Sequence, residues 1–301
     1  MDLIGIGECM VELHDPGGGE LHLSYGGDVL NTLVYAQRSG VQSAFATLTG
    51  SDHYGYWLRS NWQQEGLDCD LVAHSAGTSP ALYIIRNEED GERHFHYWRD
   101  GSPFCDLLKN ERYVETLGAT LQVSAWAYFS GITLAMLDDP QRDCLLALLK
   151  RAREKGTRVG FDPNYRARLW EEADQAADWF RRACRCATLV MPSMQDIHTL
   201  TDRALTAEEV AQALFVRGAE EVVVKDGVNG STVFWDNEMV HTPVQPVARV
   251  VDATAAGDAY NGAFLASRIR GGNPAEAARA GTMMAATVIQ HAGAIMPGAA
   301  G

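Results

Sequence analysis

The segment Val251–Phe264, VDATAAGDAYNGAF, places Asp258 directly after Ala255–Gly257, three residues with almost no side chain. We expect Val250–Val251 to end a buried strand and Asp258 to begin a helix. The unpaired N–H groups at a helix start attract anions, and so does the helix dipole. A carboxylate there would repel a phosphate, unless it takes the proton of an alcohol that attacks the phosphoryl group. The segment therefore predicts phosphoryl transfer to an alcohol, with Asp258 as the base.

A simpler interpretation is that Asp258 is an ordinary first-turn residue, which the helix dipole favours by itself. That interpretation explains the aspartate, but it explains neither the Ala255–Gly257 run nor Asp252, six residues earlier. We therefore favour the catalytic interpretation.

Two further segments join an expected loop to polar side chains. The sequence GGD at 26–28 precedes Asn31 by about one helical turn, which indicates a junction where Asp28 caps a helix or Asn31 binds a sugar hydroxyl. Arg166 and Arg168 follow an expected strand, at the end where open α/β sheets bind ligands. These arginines are suited to a carboxylate or a phosphate, although loop arginines are usually solvated.

Lys225 ends a third apolar run and precedes a loop that contains Gly227 and Gly230. Such a loop suits the phosphates or the base of a nucleotide, and a plain β-turn has the same composition. The chain has no G-x-x-x-x-G-K-[ST] sequence, and Gly5-x-Gly7 lacks the third glycine of a dinucleotide fingerprint. Protein-kinase signatures are absent as well.

Charge and composition exclude several partners. The 301 residues carry a net charge of −14, which argues against nucleic acid or an anionic membrane as a partner. An acidic protein that binds an anion needs a few directed donors. No apolar run is long enough to span a bilayer, MDLIGIGE lacks a basic leader region, and six scattered cysteines suit reduced thiols, so we expect a cytoplasmic protein.

Apolar runs alternate with amphipathic stretches, which predicts an α/β fold with a mainly parallel sheet between two helical layers. The expected strands are Leu3–Ile6, Ala44–Leu48, Ala125–Phe129, Arg158–Phe161, Thr188–Met191 and Glu221–Val224. The expected helices are Val29–Arg38, Tyr54–Glu65, Pro140–Glu154, Ala207–Arg217, Asp258–Arg270 and Pro274–Gln290.

Two hairpin patterns interrupt this alternation. Met10–His14 and Glu20–Tyr25 flank a Pro-Gly-rich turn, and Pro80–Asn87 and Glu92–Trp98 flank an Asp-Gly turn. We expect four antiparallel strands in a small sheet, at about 10–25 and 80–99, that acts as a lid or a dimer surface on one domain spanning 1–301. The aromatic residues of the second hairpin suit either the packing of that sheet or a polar ligand.

Together these segments resemble the ribokinase-like (PfkB-type) sugar kinases from near residue 4 to near residue 297. The similarity is carried by GIGECMVEL, YGGDVLNTLVY, FSGITLAML, VVVKDG, TVIQHAGAIMP and, most specifically, VDATAAGD. GERHFHYWRDGSP and FDPNYRARLW are similar to the members that act on 2-keto-3-deoxygluconate.

The resemblance implies a three-layer α/β/α ribokinase-like fold with a small β-sheet lid, often a dimer through that lid, and ATP and Mg²⁺ as cofactors, with a monovalent cation in some members. It also implies a role for each matching residue. Asp258 is the base, and the anion hole is formed by Ala255, Ala256 and Gly257. Substrate contacts fall to Gly27, Asn31, Tyr83, Tyr97, Arg99 and Arg166, and nucleotide contacts to Asn164, Ser193, Lys225, Gly227 and Gly230.

The function implied by the resemblance is ATP-dependent phosphorylation of 2-keto-3-deoxygluconate. Arg99 and Arg166 are expected to meet its carboxylate, which neutral sugars lack. Ser193-Met-Gln-Asp196 stands where many relatives have Asn-x-x-Glu, so the residues that organise Mg²⁺ stay unassigned. The alternatives are a fructokinase- or ribokinase-type activity, or a non-catalytic sugar or nucleotide sensor, against which the Gly257-Asp258 pair argues because a sensor needs no base.

Overall fold

A computed structural model of the chain describes residues 1–15, 20–87 and 93–297. In chain order the strands of this part are β1 (Leu3–Ile6), β2 (Met10–Asp15), β3 (His22–Gly26), β4 (Ser43–Gly50), β5 (Val72–Ser75), β6 (Leu82–Asn87), β7 (Arg93–Trp98), β8 (Trp126–Ser130), β9 (Arg158–Asp162), β10 (Leu189–Val190), β11 (Glu221–Lys225), β12 (Ser231–Trp235) and β13 (Glu238–Thr242). The α-helices are α1 (Asp28–Arg38), α2 (His53–Gln64), α3 (Glu111–Leu121), α4 (Gly131–Met136), α5 (Asp139–Glu154), α6 (Ala173–Cys186), α7 (Met194–Thr201), α8 (Ala207–Phe215), α9 (Ala256–Ile269) and α10 (Pro274–Val288).

Nine strands form one sheet in the order β13-β12-β11-β10-β9-β8-β1-β4-β5. From β5 to β11 every neighbouring pair is parallel, and β12 and β13 extend the sheet as an antiparallel hairpin. The carboxyl ends of β1, β9, β10 and β11 therefore meet along one edge. Chain order reverses beside β1, which has β8 on one side and β4 on the other, and open α/β sheets bind ligands next to such a reversal.

Helices cover both faces of this sheet. The core on one face includes α1, α2, α9 and α10, with Trp62 and Phe264 fully buried. The core on the other face includes α3, α5, α6 and α8, with Phe129 and Phe161 packed ring to ring. The three-layer architecture is thus confirmed. No helix of the described segments is long and apolar enough to cross a membrane.

The sequence located most of these elements and misplaced one. All six expected strands and six expected helices are present, with ends that agree within two residues. Val250–Val251, however, is no buried strand: the two side chains are 57% and 40% exposed in an irregular segment. The N–H groups of Val251 and Asp252 both donate to the carbonyl of Ile289 at the end of α10, so the segment is held by a helix end and not by a sheet ladder. Strands β5, β12 and β13 were not predicted.

The small sheet, here called the lid sheet, has the order β3-β2-β6-β7. The expectation of four antiparallel strands is wrong at its centre, where β2 and β6 run parallel. Each hairpin is antiparallel internally, but both are joined through their first strands, which leave the main domain in the same direction. The two expected turns, at 16–19 and 88–91, lie outside the described residues.

Helices α1 and α9 cross at very short range beneath the site. A β-carbon added to Gly262 would lie 2.5 Å from the carbonyl oxygen of Thr32 and 2.8 Å from the β-carbon of Tyr35. Thr32 Oγ1 also donates to the carbonyl of Asp258, at 3.3 Å. The absence of a side chain at Gly262 therefore sets how closely the two helices approach.

We predict that Gly262→Ala lowers the free energy of unfolding by about 1–3 kcal/mol, because backbone atoms of α1 have to move. Gly118→Ala in α3 is the matched control, since its β-carbon would meet only the flexible end of Leu148, at 2.9 Å. Urea unfolding of both variants measures the difference. Equal stability of the two variants would contradict the close-crossing argument.

Candidate functional site

Asp258 lies where the N-terminal ends of α1 and α9 meet. Its Oδ2 accepts a hydrogen bond from Nδ2 of Asn31, at 2.9 Å, and Asn31 is buried on α1. The Oδ1 of Asn31 faces the N–H of Gly27, at 3.5 Å. A β-carbon on Gly27 would lie 2.2 Å from the carbonyl oxygen of Glu8, so glycine is required there. The structure thus brings together three of the predicted residues, Gly27, Asn31 and Asp258.

Helix α9 begins at Ala256, two residues before the position expected from the sequence. The N–H of Ala256 donates to the carbonyl of Ala253, at 3.2 Å, whereas the N–H groups of Gly257 and Asp258 have no acceptor within residues 1–15, 20–87 and 93–297. Free N–H groups at a helix N-terminus can bind an anion. Ala255 is the buried N-cap residue of this turn.

The base candidate has a strongly perturbed acidity. Burial raises the pKa of Asp258 well above its usual range, and the nearby carboxylate of Asp28 raises it further. The hydrogen bond from Asn31 opposes this shift, Asp162 adds to it, and the ammonium of Lys225 opposes it. A carboxyl group that holds its proton more tightly is a better acceptor for the proton of an alcohol.

A buried polar network lies under the anion site. Oδ2 of Asp162, the last residue of β9, accepts hydrogen bonds from Nζ of Lys225 at 2.6 Å and from Nδ2 of Asn261 at 2.7 Å. Asn261 is fully buried, receives Lys225 on its Oδ1 at 3.2 Å and donates to the hydroxyl of Tyr128. Sequence reasoning missed Asp162 and Asn261. Two signals were present, since Asp162 ends a strand and Asn261 stands three residues after Asp258.

Asp28 does not cap α1, contrary to one of the two interpretations of the GGD sequence. Gly27 is the N-cap residue, and Asp28 is the first residue of the helix. Its Oδ2 accepts a hydrogen bond from Nδ2 of Asn164, at 2.7 Å. Asn164 adopts a left-handed φ of 33°, which asparagine tolerates better than most residues. The expected nucleotide contact of Asn164 stays a prediction.

Ser193 and Asp196 form the start of α7. The Oγ of Ser193 accepts the N–H of Asp196, at 3.0 Å, which is an N-cap contact. Burial raises the pKa of Asp196, Asp162 raises it further, and Arg166, 3.4 Å away, opposes the shift. Asp28, Asp162 and Asp196 therefore supply hard oxygen ligands of the kind Mg²⁺ prefers. No three His, Cys, Asp or Glu side chains of the described segments converge on one point.

The predicted lid tyrosines have different surroundings. Tyr83 is buried and donates its hydroxyl to Glu12, which also accepts from Ser24 Oγ at 2.6 Å. Tyr97 stacks on Tyr83, with ring centroids 5.6 Å apart, and the guanidinium of Arg168 lies 3.5 Å above the Tyr97 ring. Arg168, rather than Arg166, thus connects the loop after β9 to the lid sheet.

Arg99 and Arg166, the two arginines expected to bind the substrate carboxylate, form ion pairs with different acidic residues. Arg99 donates Nε and Nη2 to Glu8, which follows β1, is buried and also accepts from Ser102. The side chain of Arg166 is 44% exposed, and within the described part of the chain its polar contacts are Asp196 and the carbonyl of Tyr165. Glu8 was not predicted from the sequence, because GECMVEL has the pattern of an apolar strand end.

An apolar cavity of about 440 Å³ opens beside the anion site. It contains the predicted nucleotide residues Lys225, Gly227, Gly230 and Gly257, and its apolar walls explain why Val250 sits in a loop. The other residues that line it are Val228, Ser231, Val244, Gln245, Pro246, Val247, Ala253, Ala256, Tyr260, Thr282, Ala285, Ala286 and Ile289. Gly227 and Gly230 have φ values of 52° and 93°, which a side chain would strain.

Comparison with known proteins gives a consistent result. The sequence profile of the pfkB family carbohydrate kinases matches residues 2–299. A 2-dehydro-3-deoxygluconokinase of Dickeya dadantii is 35% identical over 97% of this chain and 96% of its own length, and one of Escherichia coli is 34% identical over the same shares. A PfkB protein of Polaromonas sp. JS666 superposes with a TM-score of 0.85, 25% identity and coverage of 98% and 97%. An aminoimidazole riboside kinase of Salmonella enterica, complexed with aminoimidazole riboside and an ATP analog, superposes with a TM-score of 0.82 and 25% identity. The match covers 97% of this chain and 95% of that one.

We predict that Asp258→Asn raises stability at pH 7 by an amount on the order of 1 kcal/mol, since each unit of raised pKa costs about 1.4 kcal/mol once the carboxyl ionises. The folded protein binds this proton more tightly than the unfolded chain does. The stabilisation therefore grows as pH rises from about 4 and levels off above the raised pKa. Urea unfolding from pH 4 to 8 measures it. Asp178→Asn, an exposed control, is expected to give no gain, and an unstable Asp258→Asn would contradict the assigned charge repulsion.

Proposed function

The chain belongs to the pfkB family of carbohydrate kinases, and from this premise we propose that it transfers the γ-phosphoryl group of ATP to the terminal hydroxyl of 2-keto-3-deoxygluconate. The product is 2-keto-3-deoxy-6-phosphogluconate. The observation that carries the proposal is the carboxylate of Asp258 within the first turn of α9, beside the N–H groups of Gly257 and Asp258, for which the described residues provide no acceptor. The full-length relatives named 2-dehydro-3-deoxygluconokinase, another name for a kinase of this sugar acid, support the choice of substrate.

In the proposed reaction Asp258 accepts the proton of the attacking hydroxyl. Asn31 holds the carboxylate through its 2.9 Å hydrogen bond, so that the base has a fixed orientation. The free N–H groups of Gly257 and Asp258 face the charge of the transferred phosphoryl group. Base and anion site thus occupy one helical turn, which brings the hydroxyl and the phosphoryl group into contact.

We propose that the adenine of ATP binds in the apolar cavity. Its walls are mainly aliphatic, and Tyr260 lies within it beside the two glycines of the loop after β11. The cavity opens toward Gly257, so a nucleotide bound there extends its phosphates to the start of α9. Ser193 and Asn164 lie on neighbouring loops at the same sheet edge.

Mg²⁺ fits the carboxylates that line the site. Bound with ATP, it would supply positive charge that offsets part of the charge of the phosphates. Asp196 and Asp162 are the residues we propose to hold it, since the carboxylate of Asp162 is near enough to raise the pKa of Asp196 and a cation between them would relieve that repulsion. One or two carboxylates with water and phosphate as the remaining ligands is the usual arrangement for this ion. The monovalent cation that the resemblance implies stays a prediction.

The lid sheet is proposed to cover the sugar acid, with Tyr97 and Arg168 at the contact between lid and domain. Arg166 is the better placed cation for the substrate carboxylate, because Glu8 already accepts hydrogen bonds from two donors of Arg99.

The opposite face of the lid sheet carries Leu23 and Trp98, whose side chains are 44% and 56% exposed. We propose that this face pairs with a second copy of the chain. Six free thiols among the described residues suit a cytoplasmic location.

A sugar panel with coupled detection of ADP tests the function directly. We expect turnover with 2-keto-3-deoxygluconate to exceed that with fructose or ribose, and Asp258→Asn to lower kcat by about 10²–10⁴-fold with substrate binding retained. Preference for fructose or ribose would replace the proposed substrate. Tight sugar binding without ADP release would favour a sensor, and near-normal kcat in Asp258→Asn would remove its role as base.

Arg166→Ala separates sugar acids from neutral sugars. Loss of a charge-assisted contact with the carboxylate is expected to lower kcat/KM for 2-keto-3-deoxygluconate by about 10- to 100-fold and to leave any residual activity on fructose unchanged. Arg181→Ala, an exposed arginine paired with Asp178 on α6, is the control. An equal loss for both sugars would mean that Arg166 supports the loop rather than the substrate.

A further inference from the structure

Lys225 lies at the junction of the three parts of the site. Its side chain is 13% exposed, and its ammonium contacts Asp162 at 2.6 Å and Asn261 at 3.2 Å. A β-carbon placed on Gly257 would lie 3.8 Å from this ammonium, so the charge is adjacent to the first turn of α9. The same side chain lines the apolar cavity. It is therefore close to the anion site, the base and the proposed nucleotide seat.

The charges around Lys225 show what it can do. The carboxylates of Asp28 and Asp162 both raise the pKa of Asp258, Asp162 also raises the pKa of Asp196, and Lys225 opposes both shifts. A phosphoryl group entering this region brings further negative charge. Lysine has a compact charge on a flexible stem, so it can exchange one partner for another without moving the backbone. Asn261 and Asp162 hold it ready near the free N–H of Gly257.

We propose that Lys225 leaves Asp162 during the reaction and contacts the phosphoryl group as it moves from ATP to the sugar. This inference rests on the proposed kinase function and assigns to Lys225 more than contact with the nucleotide. The hydroxyl oxygen forms a bond to the γ-phosphorus and gives its proton to Asp258. The bond from the γ-phosphorus to the bridging oxygen breaks, and ADP leaves with that electron pair. Lys225 and the N–H groups of Gly257 and Asp258 stabilise the charge on the phosphoryl oxygens.

Two other roles would also place a lysine here. Lys225 would be a nucleotide contact if it served the α- and β-phosphates, and ADP binding would then depend on it. It would be a structural counter-ion if its purpose were to neutralise buried Asp162. In that case Lys225 would be dispensable once Asp162 had lost its charge.

The test compares Lys225→Met, Lys225→Arg, Asp162→Asn and the double variant D162N/K225M. The double variant removes both partners of the ion pair, so the fold is not left with one buried unpaired charge. Single-turnover rates at saturating ATP and sugar report the transfer step, and calorimetric titration reports the affinity for ADP. Lys109→Met, an exposed lysine paired with Asp106, is the matched control.

We expect D162N/K225M to react about 10²–10³-fold more slowly than Asp162→Asn, with ADP affinity within about threefold. Lys225→Arg, which keeps the charge, is expected to retain more activity than Lys225→Met. Equal rates for D162N/K225M and Asp162→Asn would overturn the proposal in favour of a counter-ion. A loss of ADP affinity as large as the loss of rate would overturn it in favour of a nucleotide contact. The assay uses whichever sugar the wild type phosphorylates, so a wrong substrate assignment leaves this comparison intact.

Discussion

The site depends on the close crossing of α1 and α9. Gly262 allows the backbones to approach, Thr32 bonds the carbonyl of Asp258, and Asn31 bonds its carboxylate. The two helices belong to the same face of the sheet but start more than two hundred residues apart in the chain. Their N-termini converge because each follows a segment that ends at the carboxyl edge of the parallel strands. The geometry of the Asp258 carboxylate is thus fixed by the packing of the domain and not by a local loop.

The region around Asp258 contains more carboxylates than cationic side chains. Burial raises the pKa values of Asp196 and Asp258, the neighbouring carboxylates of Asp162 for both and Asp28 for Asp258 raise them further, and the ammonium of Lys225 opposes both shifts. Such an arrangement is unfavourable for the free protein and favours ligands that bring cations. The free protein therefore holds an excess of buried negative charge here, a stability cost of the kind that catalytic sites commonly have.

The sequence predicted the layers of the fold and the first turn of α9, because apolar periodicity and a run of small residues are local signals. It also singled out Asn31, Asp258 and Lys225, which the fold brings near one another and whose roles stay predictions. The partners of these residues were harder to foresee. Asp162 and Asn261 are 99 positions apart, and Glu8 meets Arg99 across 91, so their pairing follows from the topology. The strand predicted at Val250–Val251 was wrong because apolar residues line a cavity as readily as they fill a strand. The parallel pairing at the centre of the lid sheet follows from a tertiary contact that no turn sequence encodes.

The parallel pairing of β2 with β6 also bears on how the chain folds. Glu12 lies directly beside Tyr83, so the two hairpins of the lid sheet join only after the intervening chain, which includes α1, β4, α2 and β5, has closed a long loop. Loop closure of this length is slow, and contacts of high sequence separation form late. Each hairpin can form early, but the joined sheet needs the chain between the hairpins to close. The crossing of α1 and α9 closes a far longer loop, since Thr32 meets Asp258 across 226 positions, so by the same argument the carboxylate of Asp258 reaches its final position after the lid sheet has joined.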